Sequence, residues 1–171
     1  MARRQDELFS LQYYASLCFP SKETVIERPE EEDISYDILI EETETDTIRM
    51  NRYWKIDEIS YLIFVWGDDR DQLSEDLDAL NFFIAQGELF NSQHKIPVWA
   101  LADWEATPEP DVDNDIPTSW MTVSDYSSSI IPSEHPGKYI GVVKMTASVK
   151  RVIWNFGNPL ITQVESETEI E

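Results

Sequence analysis

Asp111-Val112-Asp113-Asn114-Asp115 sets carboxylates at alternate positions, as the first, third and fifth ligands of a calcium loop are set. The rest of such a loop is missing. Its sixth position, where the sharp turn requires glycine, is Ile116, and its twelfth, where a bidentate glutamate belongs, is Thr122. The stretch therefore reads as a solvated acidic loop. A zinc site needs several cysteines and histidines at short spacing, and the chain offers only Cys18, His94 and His135, far apart in sequence. Nucleophilic catalysis needs a nucleophile beside a positioned base. Neither histidine lies in such a motif, and Ser127-Ser128-Ser129 has no Gly-x-Ser-x-Gly turn around it. With 34 Asp and Glu, no single glycosidase-like pair stands out. None of the five glycines forms a phosphate-cradling loop. The expectation is a non-enzymatic protein with no catalytic residue, metal or cofactor.

The elements that would hold any site follow from periodicity. Leu8, Leu11, Ala15 and Cys18 recur at spacings of three and four before Pro20, which predicts an amphipathic helix over 4–18. Ile34, Tyr36, Ile38 and Ile40 alternate with polar residues as a half-buried strand does, and after a polar stretch at 42–46 a second alternating run, 47–56, reads as its hairpin partner. Ile59 to Trp66 is almost wholly apolar and belongs in a sheet interior covered on both sides. Asp69 followed by Gln72 has the form of a capping box, and Leu73, Leu77, Leu80 and Ile84 supply the stripe of the helix it opens, with Gly87 placed to cap its end. Residues 96–102 read as a short strand, edge-like because of Pro97. Residues 103–118, with three prolines and six acids, are a loop. A strand over 120–126 and a loop over 127–136 precede a period-two run from Tyr139 to Trp154, long enough to predict a bulge near Gly141 or Ser148.

Neighbouring strands in sequence predict an α+β domain: a mainly antiparallel sheet of about five or six strands with two helices packed on one face. One domain is expected over 1–161, carrying the acidic loop at about 103–118, with a flexible acidic tail at 162–171. At 171 residues and 42% hydrophobic content the chain can bury a core without disulfide or metal. Cys18 has no partner for an intramolecular disulfide. The longest apolar run is six residues, Tyr61 to Trp66, against the roughly 20 of a membrane span, and the start lacks the apolar run of a signal peptide. The chain is expected to be soluble, made in a cytoplasm, and free of membrane.

Charge is the unusual feature. The formal net charge is −21, which disfavours contact with nucleic-acid phosphate and favours basic proteins or copies of the chain itself. It is unevenly distributed: residues 23–46 hold eleven acids and one base, residues 103–115 six acids and no base, and residues 138–154 four bases and no acid. Lysines on the last strand would serve to protect a sheet edge. They would equally serve, as Lys144, Lys150 and Arg151, to meet Glu41, Glu42, Asp111, Asp113 and Asp115 of a neighbouring copy, a head-to-tail contact that closes into rings.

The order of elements, with Asp69-Arg70-Asp71-Gln72 opening the second helix, Ile116-Pro117-Thr118-Ser119-Trp120 before a strand, and Val149-Lys150-Arg151-Val152-Ile153-Trp154 ending the last one, resembles the tail terminator and neck proteins of long-tailed bacteriophages. The resemblance covers most of the chain in its order of elements. It implies an α+β subunit of a hexameric ring, in the virion tail or neck, that joins the tail tube to head-connector proteins. An acidic lumen would keep passing DNA from sticking. The competing expectation is an acidic inhibitor, either an immunity protein for a basic toxin or a DNA mimic, drawn to its target by complementary fields.

Overall fold

The computed structural model describes residues 4–26, 37–85, 95–99, 117, 119–134 and 137–152. In chain order these form α1 (Arg4–Cys18), β1 (Thr24–Val25), β2 (Ile38–Met50), β3 (Trp54–Gly67), α2 (Arg70–Leu80) with a π-helical turn at Asn81–Ala85, β4 (Lys95–Val98), β5 (Ser119–Pro132) and β6 (Tyr139–Val152). The six strands make one sheet in the order β1-β2-β3-β6-β5-β4. The domain is α+β.

The sheet is mixed, which corrects the expectation of a mainly antiparallel one. Thr24 and Val25 run parallel to Ile38 and Leu39, whereas β2–β3, β3–β6, β6–β5 and β5–β4 pair antiparallel. A two-residue strand is too short to leave a periodic trace in the sequence, so β1 was not expected.

Alternation decides which face is buried. In β3 the side chains of Asp57, Ile59, Tyr61, Ile63 and Val65 are buried, and they pair with Val149, Ala147, Met145, Val143 and Gly141 of β6, which are buried too. On the opposite face Leu62, Phe64 and Trp66 are only half-buried, so β3 is central without being covered on both sides. The Leu77 side chain of α2 meets this buried face closely at Gly141, where an added Cβ would lie 2.8 Å from Leu77 Cδ2. Tyr126 of β5 donates its hydroxyl to the Leu77 carbonyl at 2.9 Å.

Helix α1 has the expected bounds but a different buried stripe. Leu11 and Ala15 are buried as expected, while Leu8 and Cys18 are half-buried and Glu7, Ser10 and Tyr14 turn inward instead. Each inward polar group meets one from elsewhere in the chain. The Trp99 backbone N–H donates to Ser10 Oγ at 3.1 Å, Trp99 Nε1 donates to the Tyr14 hydroxyl at 2.5 Å, and that hydroxyl donates to the Pro97 carbonyl. The helix is thereby tied to β4, which is short and sits at the sheet's end as Pro97 suggested.

Three further expectations change. The hairpin does not turn at 42–46: β2 runs straight through those residues to Met50, and the turn is Asn51–Tyr53. Asn51 Oδ1 accepts from the backbone N–H groups of Tyr53 and Trp54 at 2.8 and 2.9 Å, an Asx turn that fixes the reversal. Residues 127–132 are not loop but the second half of β5, held by the ladder to β6 although their own composition is polar. β6 pairs with β3 without interruption; the register shifts fall instead in β2, at Glu42/Glu44 and Thr47/Arg49, and in β5, at Val123/Asp125. The loop at 103–118, apart from Pro117, and the tail at 162–171 lie outside the described residues, as does Gly87.

Candidate functional site

The β2–β3 hairpin carries a dense basic and apolar tip. Between Thr47 and Ile56 there is no acid, while Arg49, Arg52 and Lys55 fall in ten residues. Register then brings the end of β6 alongside, since Met50 pairs with Lys55 and Lys55 with Arg151, and Arg49 with Ile56 and Ile56 with Lys150. The exposed cations lie over aromatic rings. Lys150 Nζ sits 4.8 Å from the Trp54 centroid, the Arg49 guanidinium 5.8 Å from the same ring, and that of Arg52 5.8 Å from Tyr53. Stacking of this kind restricts long side chains before any partner arrives. Three apolar side chains stand out of the same tip: Ile48, Met50 and Tyr53 are 56%, 67% and 46% exposed. No core requirement explains large apolar groups left this open beside cations.

Two of the basic residues at this end are turned inward. Arg151 Nε donates to Asp57 Oδ2 at 2.9 Å, and its Nη1 lies 2.7 Å from Glu7 Oε1. Lys55 Nζ approaches Asp57 Oδ2 at 3.0 Å, and Thr47 Oγ1 donates to Asp57 Oδ1 at 2.8 Å. Burial alone would raise the Asp57 carboxyl, but the hydrogen bonds from Thr47 and Lys55 and the charges of Lys55 and Arg151 outweigh it and hold that carboxyl below its usual value. Glu7 goes the other way. Burial pushes its carboxyl up to about 7 against the attraction of Arg151, and neither of its oxygens meets an aligned hydrogen-bond donor among the described residues. The cluster is a structural clasp between α1, β3 and β6.

A second surface lies on α2. Asp69 caps the helix, its Oδ1 accepting from the backbone N–H groups of Asp71 and Gln72 at 2.9 and 3.3 Å, as expected. The Gln72 side chain does not complete the capping box; its Nε2 donates to Asp76 Oδ1 at 3.2 Å. Leu73, Leu77 and Leu80, with Ile84 of the π-helical turn, face the core. The opposite face presents Asp71, Glu75, Asp78 and Phe82, all exposed, at spacings of four, three and four, which set them in one row along the helix. Phe82 and Phe83 pack edge to face at 5.2 Å between ring centroids and remain 47% and 37% exposed. The row is acidic for most of its length and aromatic at its end.

The residues singled out as contacts in the sequence fall as follows. Lys144 and Lys150 are exposed on β6, whereas Arg151 is spent inside the clasp. Glu41 and Lys144 share one row across the sheet, each paired with Leu62. Glu42 is half-buried beside Tyr61 and accepts from Thr45 Oγ1 at 2.5 Å. Asp111, Asp113, Asp115, His94 and His135 lie outside the described residues. β6 is an interior strand between β3 and β5, so its lysines guard no sheet edge. Cys18 is half-buried, and burial pushes its thiol up to about 11, away from the reactive thiolate. Among the described residues no three His, Cys, Asp or Glu side chains gather as a metal site would require, and no helix is long and apolar enough to cross a membrane.

Sequence reasoning missed the hairpin tip because its turn was placed too early, which split Arg49 and Arg52 from the end of β6. The absence of acid between 47 and 56 was the signal that could have found it. The chain matches no protein-family model, and no curated protein is a match to it.

Proposed function

We propose that the protein is a non-enzymatic structural subunit that assembles head to tail into a homo-oligomeric ring, and that the ring is a tail terminator or neck component of a long-tailed bacteriophage, hexameric by resemblance. In this reading it is made in the host cytoplasm, carried in the virion, and joins the tail tube to head-connector proteins, with both helices on the same face of the sheet. The observation that carries the proposal is the polarity of one subunit. Exposed cations with exposed apolar side chains gather at the β2–β3 tip, and exposed carboxylates line α2. Two unlike patches on one chain form heterologous contacts, which close into rings when the rotation permits.

Sedimentation velocity over a wide concentration range, with electron microscopy of the protein alone and with tail tubes, tests this. Rings that cap tubes are the expected result. A monomer at every concentration that caps no tube overturns it.

A second reading rests on the acids alone. Asp68, Asp69, Asp71, Glu75 and Asp78 are all exposed around α2, a concentration of negative field that suits an inhibitor of a basic nuclease or another nucleic-acid enzyme. A monomer that binds such an enzyme with affinity falling steeply in salt is what this reading requires.

A further inference from the structure

The β2–β3 tip and the α2 row are complementary in two independent respects. The tip offers Arg49, Arg52 and Lys150 where the row offers Asp71, Glu75 and Asp78. The tip also offers Ile48 and Tyr53 where the row ends in Phe82 and Phe83, and these four are among the eight large apolar side chains exposed in the described residues. Interfaces combine an apolar centre with charges that set register and exclude wrong partners. Either surface alone would be an ordinary solvated patch. Matched in both charge and apolar content, they specify each other.

Within one copy the acidic start of the row stands far from the tip. The tip leads into the first residue of β3 and α2 follows the last, and the 14 residues of β3 put those ends roughly 45 Å apart at about 3.3 Å per residue. Asp69 and Asp71, at the start of the row, therefore sit at the far end of the strand from Asn51.

We infer that the β2–β3 tip of one copy docks on the exposed α2 row of the next, with Arg49, Arg52 and Lys150 against Asp71, Glu75 and Asp78 and with Ile48 and Tyr53 against Phe82 and Phe83. The inference rests on the reading of the protein as a self-assembling subunit. It names the contact that reading leaves open. The cation–aromatic stacks at Trp54 and Tyr53 hold the tip's charges in place before docking, which lowers the ordering cost of the contact.

The test uses the whole chain in two charge-reversed forms, R49E/R52E and E75R/D78R, all four positions being exposed. Circular dichroism and thermal unfolding check that both fold. In sedimentation velocity each variant alone is expected to stay monomeric at concentrations where the wild type assembles, a loss of at least tenfold in association. In an equimolar mixture the intact tip faces the intact row and the Glu-bearing tip faces the Arg-bearing row, so both contacts are complementary again and assembly is expected to return with the two variants alternating; a mixture that stays monomeric overturns the pairing. Variants that assemble like the wild type overturn the docking pair while leaving the ring reading standing. A wild type that is monomeric throughout overturns both. Binding of the wild type to vesicles rich in phosphatidylserine, abolished in R49E/R52E, reassigns the tip to an anionic lipid surface and overturns the pairing with α2.

Discussion

Arg151 Nε and Asp57 Oδ2 meet at 2.9 Å with the Arg151 and Asp57 side chains only 10% and 2% exposed, so a residue from the most basic segment of an acidic chain is committed to its own core. The same guanidinium reaches Glu7 at 2.7 Å. One cation thus compensates two buried carboxylates on two different elements.

Removing it should be severe. Arg151→Ala leaves Asp57 and Glu7 buried with Lys55 as the one cation still paired to the cluster among the described residues, and breaking a buried ion pair from one side typically costs about 3–5 kcal/mol. Lys150→Ala, one residue away and exposed, should fall within about 0.5 kcal/mol of the wild type. Urea unfolding of the two variants checks this, and equal losses would remove the clasp from the account.

Glu7 makes stability depend on pH. Its carboxyl titrates near 4.5 when the chain is unfolded and is pushed up to about 7 by burial in the fold. Between those values the folded state binds more protons than the unfolded one, so this group's contribution is complete below 4.5 and is lost as pH rises through 7. Glu7→Gln removes that slope. The expected outcome is a wild type whose urea midpoint drops between pH 5 and pH 8 by more than that of the variant.

Gly141 leaves the space that the Leu77 side chain fills. A Cβ there would sit 2.8 Å from Leu77 Cδ2, inside a packed core where overfilling costs about 1–3 kcal/mol. Gly141→Val should be destabilised by that order, and Gly141→Val with Leu77→Ala by less than the sum of the two single changes. A double-mutant cycle read by denaturant unfolding measures the difference.

The cap of α2 is worth less. Asp69→Ala frees the N–H groups of Asp71 and Gln72 that its carboxylate now accepts from, a loss of about 1 kcal/mol by analogy with other caps. Thermal unfolding should show a shift of a few degrees with the fold retained.

The sequence was legible where one local rule sufficed. The spacing of Leu11, Ala15 and Cys18 before Pro20 marked out α1, Asp69 announced the start of α2, and the long alternation from Tyr139 marked β6. It was opaque where a partner decided the outcome. Ser127, Ser128 and Ser129 have the composition of a loop and are strand because Lys144, Val143 and Val142 of β6 hold them in the ladder. Glu42 to Asp46 look like a turn and are strand because β3 runs beside them. Glu7, Ser10 and Tyr14 look like the outer side of α1, and they face inward because Arg151, Trp99 and Pro97 wait there. For the docking surfaces, the acids of α2 were visible in sequence. The hairpin tip was obscured by a turn placed at 42–46 instead of 51–53, and Lys150 joins it only through the pairing of β3 with β6.

The pairing of β3 with β6 also orders events during synthesis. Trp54 to Gly67 pair with Val152 to Tyr139 across the middle of the sheet, so the strand at the centre of the fold waits for the last described strand to leave the ribosome. Until then Ile59, Tyr61, Ile63 and Val65 have only β2 beside them and no far-side neighbour, and a two-stranded hairpin is marginal in water. Closing so distant a contact is slow and leaves apolar strand surface open to other nascent chains. The protein's vulnerable interval is therefore translation itself, before β6 has joined the sheet.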